Sequence, residues 1–219
     1  MSIFNEIGKS DSEIKERIDR DFKEIFFGSE RIYFENGADC GYMVDTGNND
    51  VRTEGQSYGM MIAVQLDRKD IFDKIWNWTK TYMYLKDGET AGYFGWSAEL
   101  SGKLRSTGAA PDGEEFFVAT LILASNRWGD GTGIFNYSEE AKSLLRVMVH
   151  NANFPMFNPE NKLIKFTPNT DFSDPSYHLP HFYELYAKYG NPEDAEFFRH
   201  AEKHQLAVQH RLHNHQQRS

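Results

Sequence analysis

One cysteine, Cys40, stands in a chain of 219 residues, so an internal disulfide and a cysteine-ligated zinc site are both excluded. No apolar run approaches the ~18 residues that a membrane-crossing helix needs. Basic charge is short as well: 24 Lys and Arg face 33 Asp and Glu, for a formal net charge of −9. Basic residues never follow one another beyond a pair, which argues against a surface that tracks nucleic-acid phosphates. The opening MSIFNEIGKSDSEIKERIDR alternates charges and lacks the apolar stretch of a secretory signal. A soluble, cytoplasmic protein without membrane or nucleic-acid partners is expected. Cofactor motifs are missing too. The loops beginning at Asp45 and Asp130 fail the calcium pattern, the first at Gln56 and the second at Ala141. Gly129-Asp130-Gly131-Thr132-Gly133 leads into no Gly-Lys-Ser/Thr and is not a phosphate loop. No cofactor is implied.

What the chain does have is aromatic side chains: 17 Phe, 11 Tyr and 4 Trp, 15% of the residues. Many can fill a core, yet several lie in Gly-rich loops beside carboxylates rather than on helical stripes. Such loops suit sugars, whose rings offer flat C–H faces to aromatic planes while their hydroxyls require polar partners.

Apolar periodicity predicts about seven helices in one domain and an all-α fold. The first covers about 11–27, with Ile14, Ile18, Phe22 and Ile25 on one face. The second starts at Thr53, where Thr53-x-x-Gln56 reads as a capping box. The third carries Ile71, Ile75, Trp78, Tyr82 and Leu85 at helical spacing. The fourth follows Asp112, the fifth begins near Ser138, and the sixth runs from Pro180 to a left-handed cap at Gly190. The seventh opens with Asn191-Pro192-Glu193. Residues 31–34 and 163–166 read as short strands or hairpin arms. From His204 the chain turns polar and His-rich, so 1–203 is expected to form the domain and 204–219 a disordered tail. His200 and His204 share a helical face, but no HExxH accompanies them, and no metal site is assigned.

Two carboxylates stand at predicted helix starts, Glu54 in Thr53-Glu54-Gly55-Gln56 and Asp112 in Ala110-Pro111-Asp112-Gly113. On structural grounds alone, Asp112 is an N-cap and Glu54 a favourable partner of the helix dipole. Against that, Gly55 and Gly113 spend helix propensity directly behind each carboxylate. Arg52, Ser57 and Tyr58 lie near one, Glu114 and Glu115 near the other, and Phe94-Gly95-Trp96-Ser97 lies between them.

These segments, with Thr53-Glu54-Gly55-Gln56-Ser57-Tyr58-Gly59-Met60 and Asp174-Pro175-Ser176-Tyr177-His178, resemble glycoside hydrolase family 8. Within it they are most similar to the reducing-end xylose-releasing exo-oligoxylanases, in order from about residue 15 to 203. The resemblance implies an (α/α)6 barrel and inverting hydrolysis of β-1,4-linked xylo-oligosaccharides. It implies Glu54 as the general acid and Asp112 as the aspartate that holds the distorted sugar. Trp96 is then a stacking platform and Tyr177 the tyrosine beside the ring, with Arg52, Tyr58, Asp174 and His178 as further substrate-binding candidates. A general acid must keep its proton, although a helix N-terminus favours the carboxylate. Burial and a neighbouring carboxylate, Asp112 foremost, must supply the opposing push.

The resemblance also breaks. The family's general base sits in an Asp-x-x-Arg segment, and no such segment occurs in this sequence. About seven predicted helices stand against the twelve of the barrel. A chain cut short relative to the family is expected, with impaired hydrolysis and self-association through apolar barrel faces left bare. Asp174 or Asp112 could stand in as base, an endo-acting glucanase or xylanase is the alternative within the class, and a non-catalytic oligosaccharide-binding remnant lies outside it.

Overall fold

The computed structural model describes residues 2–216, with side chains through residue 207. Its helices are α1 (Ile3–Glu6), α2 (Asp11–Phe27), α3 (Thr53–Gln65), α4 (Lys69–Tyr82), α5 (Pro111–Trp128), α6 (Tyr137–His150), α7 (Pro180–Tyr189) and α8 (Ala195–Gln216). Strand β1 (Tyr33–Asn36) pairs antiparallel with β2 (Cys40–Met43), and β3 (Val51–Arg52) with β4 (Ser97–Ala98). The fold is mostly helical, as expected, and the seven helices longer than one turn are those the periodicity predicts.

Helices α3 and α5 form the interior. They pack on each other, with α4 against α3, α6 and α7 against α5, and α8 against α7. Composition explains the layering. In α5, Phe117, Val118, Ala119, Leu121, Ile122 and Ala124 are all buried, so the helix is enclosed on nearly every side. In α4 the buried side chains Ile71, Phe72, Ile75, Trp76 and Trp78 form one stripe, and charged residues take the outer face. Burying each large apolar side chain contributes about 1.5–3 kcal/mol, and Trp76, Trp78 and Phe117 are essentially inaccessible.

Several local expectations are corrected. Thr53 is the first residue of α3, and Arg52 holds the N-cap position without a side-chain cap. Gln56 therefore makes no capping box. Its Oε1 accepts from the Met43 N–H at 2.7 Å and its Nε2 donates to Thr79 Oγ1 at 2.9 Å, stitching β2 to α4. Asp112 is likewise no N-cap, because Ala110 holds that position and Pro111 opens α5. Gly190 ends α7 with φ −79°, outside the left-handed region. Glycine serves there for space: a Cβ would lie 2.5 Å from the Tyr186 carbonyl oxygen. The 203/204 boundary falls inside α8, which runs on to Gln216 where a disordered tail was expected. Gln205 is buried and His204 Nδ1 lies 2.6 Å from the Asn161 carbonyl oxygen, so this part of the tail has anchors. Residues 217–219 lie outside the described residues. Of the two predicted hairpin arms, the first is β1, and the second contributes a single bridge between Phe157 and Ile164.

Candidate active site

The ladder of β3 and β4 pairs Val51 with Ala98 and Arg52 with Ser97, and the Thr53 N–H extends it by donating to the Trp96 carbonyl at 3.0 Å. Trp96 is thereby fixed beside the first turn of α3, which carries Glu54. The Trp96 N–H in turn donates to the Gly108 carbonyl at 2.9 Å, drawing in the segment that leads to α5 and Asp112. Gly113 allows the two helix starts to touch: a Cβ there would lie 2.4 Å from Thr53 Cβ. Gly55 has no such reason, since its Cβ would meet Met43 at an ordinary 3.6 Å. Each carboxylate is the second residue of its helix, on neighbouring first turns.

The charges respond to this closeness. Burial first, and the Glu54 carboxylate second, push the Asp112 carboxyl up to about 6, while the Gly113 N–H on its Oδ1 at 2.9 Å pulls the other way. Glu54 Oε2 is enclosed and has no hydrogen-bond partner among the described groups. The Tyr58 hydroxyl is pushed up to about 12 by burial and then by Asp112 and Glu54. Tyr177 is raised by burial and then by Asp112. Both tyrosines thus keep their protons and can donate. The four groups are thus close enough to act on one another's charge.

Trp96 borders a cavity of about 580 Å³ with Thr90, Ala109, Phe154 and Asn169 among its lining residues. The Arg52 guanidinium lies 5.2 Å from the Trp96 ring centroid, while its Nε bonds Asp50 Oδ1 at 3.1 Å and faces Asp45 Oδ2 at 3.4 Å. Its charge is taken up within the protein, and its face supports the indole. Tyr177 stacks against Phe166 at 5.9 Å, and Phe166 against Phe172 at 5.1 Å. Among the described residues no group of three or more His, Cys, Asp or Glu side chains is arranged to hold a metal ion.

The sequence matches the family model described as glycosyl hydrolases family 8 over residues 27–210. The chain belongs to glycoside hydrolase family 8. It is 56% identical over 208 residues to the reducing end xylose-releasing exo-oligoxylanase of Halalkalibacterium halodurans, covering 91% of this chain and 53% of that protein. A protein of the same description from Bifidobacterium adolescentis is 52% identical over 204 residues, covering 91% and 54%. A crystal structure of a reducing end xylose-releasing exo-oligoxylanase superimposes with a TM-score of 0.93 at 53% identity, over 95% of this chain and 56% of the other. The chain thus spans about half the length of these relatives. Its helices are the corresponding part of the family 8 (α/α)6 barrel.

Against the family 8 expectation, the structure brings Glu54, Asp112, Tyr58 and Tyr177 together, sets the Trp96 backbone beside the start of α3 with its side chain on a cavity that none of the four lines, and gives three other candidates internal work. Arg52 is engaged as described. Asp174 Oδ1 accepts from the Ser176 N–H at 2.8 Å, and this bond holds its carboxyl below the usual range. Its oxygen closes a turn. His178 is buried with Nε2 2.7 Å from Ser173 Oγ, and burial pushes its imidazole below the ordinary value, toward the neutral form. Sequence reasoning missed Asp50, which is 2% exposed and also receives Ser97 Oγ at 2.9 Å and Arg105 Nη1 at 3.1 Å. The signal available was the Asp50-Val51-Arg52 alternation, which puts acid and base on one face of a strand. It also missed the partners of Glu114 and Glu115, treated below.

Proposed function

We propose that this chain carries the proton-donating part of a family 8 active site and acts on β-1,4-linked xylo-oligosaccharides, releasing xylose from the reducing end with inversion. In this reading Glu54 protonates the departing glycosidic oxygen, and Asp112 holds the sugar at the cleavage point. Trp96 stacks on a neighbouring ring, and Tyr58 and Tyr177 donate to its hydroxyls. The observation that carries the reading is the pairing of Glu54 with Asp112 on touching helix starts, where burial and then the Glu54 carboxylate raise the cost of charging Asp112. Inversion needs a second carboxylate to activate water across the ring. The sequence holds no Asp-x-x-Arg segment to supply it, so turnover by these residues alone is slow.

That same absence favours a second reading, a module that binds xylo-oligosaccharides without cleaving them. Free xylose released from xylotriose separates the two. Release that disappears in Glu54→Ala supports the hydrolase, and saturable binding with no release in either protein supports the binding module. A cytoplasmic location belongs to the same proposal. It is supported by the lone Cys40 and by the lack, among the described residues, of any helix long and apolar enough to cross a membrane.

A further inference from the structure

Two carboxyls below the site have no part in the proposed chemistry. Glu114 and Glu115 follow Asp112 by two and three residues, and both are completely buried. Being consecutive in α5, they face about 100° apart around its axis and reach different segments. Glu114 Oε1 accepts from the Phe94 N–H at 2.8 Å, two residues before Trp96. Glu115 Oε1 accepts from the Tyr183 hydroxyl at 2.6 Å, and its backbone carbonyl from the Tyr186 hydroxyl at 2.6 Å. Tyr183 and Tyr186 belong to α7, which the Asp174–His178 turn bearing Tyr177 leads into. In each carboxyl the second oxygen, Oε2, is enclosed without a hydrogen-bond partner among the described groups.

An enclosed carboxyl with one oxygen unpartnered costs stability, and an apolar residue of like size would avoid that cost. What an apolar residue could not do is hold two separate segments at fixed distances from Asp112. We infer that Glu114 and Glu115 are positioning residues for substrate, one for each aromatic wall of the cleft: Glu114 sets the loop that presents Trp96, and Glu115 sets α7 and with it Tyr177. The inference rests on the proposed sugar-binding role of those two aromatics. Burial pushes both carboxyls well above the usual range, so they work as neutral acids and glutamine can replace them.

The test combines xylotriose calorimetry with amide hydrogen exchange on Glu114→Leu, Glu114→Gln, Glu115→Leu, Glu115→Gln and Tyr183→Phe. The Leu variants, and Tyr183→Phe, should each weaken xylotriose binding by about tenfold, the worth of one buried hydrogen bond. The Gln variants should bind as the wild type does. The losses should follow the walls: Tyr183→Phe adds nothing to Tyr177→Phe yet adds fully to Trp96→Ala, and Glu114→Leu does the reverse. Exchange reports the same without sugar. Protection of the Gly95 and Trp96 amides, which Glu114 does not touch, should fall in Glu114→Leu and return in Glu114→Gln. Protection at Tyr177 and His178 should fall in Tyr183→Phe, a variant that removes one hydroxyl and keeps the ring packing should Glu115→Leu not fold. Uniform losses at both walls, unchanged protection, or failure of glutamine to rescue would overturn the inference. Should the folded wild type bind no xylotriose, the functional reading falls, and the exchange pattern alone decides for or against the positioning role.

Discussion

Helices α2 and α5 have nearly the same length, 17 and 18 residues, and are held in place by different forces. In α2 only Phe26 is buried, while Ile18, Ile25 and Phe27 are 42%, 37% and 52% exposed. Its order comes from within: a capping box joins Ser10 to Glu13, and ion pairs link Lys15 to Asp19 and Arg17 to Asp21 one turn apart. Exposed pairs of this kind contribute little. Helix α5 has no side-chain cap, and its first turn is fixed by contact with Thr53, Phe94 and Tyr183. Glu54 and Asp112 depend on the second kind of helix. Their geometry is therefore a property of the interior.

The largest expected contrast is in stability. Phe117→Ala should cost about 3–5 kcal/mol in urea denaturation, since it empties a fully enclosed site. Ile18→Glu should change stability by less than about 0.5 kcal/mol. Equal costs would erase the distinction between the two helices.

Asp112 sharpens it further. Its carboxyl is raised from 3.8 to about 6 in the folded protein, so the native state holds this proton more tightly than the unfolded chain does. Its contribution to stability is therefore fully present below about pH 4 and is lost as pH rises through about 6. At pH 8 the charged carboxylate costs up to about 3 kcal/mol. Thermal melts of Asp112→Asn should show a stabilised protein at pH 8 and no gain at pH 4. A gain of equal size at both pH values would remove the electrostatic account.

A smaller effect is expected at the contact between the helix starts. Gly113→Ala places a methyl group against Thr53 and should destabilise by about 1–3 kcal/mol. By parting the two carboxylates it should also lower the Asp112 titration midpoint, which NMR of the side-chain carboxyl reads directly. A midpoint that stays near 6 would mean that burial alone sets it.

The comparison also accounts for what the sequence made legible. Helix α2 is readable because its box, its ion pairs and its apolar periodicity each link residues only three or four apart. Glu54, Asp112 and Trp96 are readable because their motifs are short and Gly-punctuated. The partners of Glu114 and Glu115 are silent in the sequence, since they lie 20 and 68 residues away, and Asp50 shows locally only its link to Arg52, with Ser97 47 residues off. Thr53 misled for the same reason: its spacing to Gln56 fits a local box, and a partner on α4 claims the glutamine instead. At Gly190 the terminating glycine is real, but crowding by Tyr186 explains it better than backbone handedness does.

Calorimetric titration of xylotriose into the wild-type chain and its Trp96→Ala variant tests the central claim most directly. The account predicts saturable binding by the wild type that is weakened at least about tenfold in the variant while both proteins unfold cooperatively. A folded wild type that takes up no xylotriose, or a variant that binds it equally well, would contradict the assignment of this cleft to sugar.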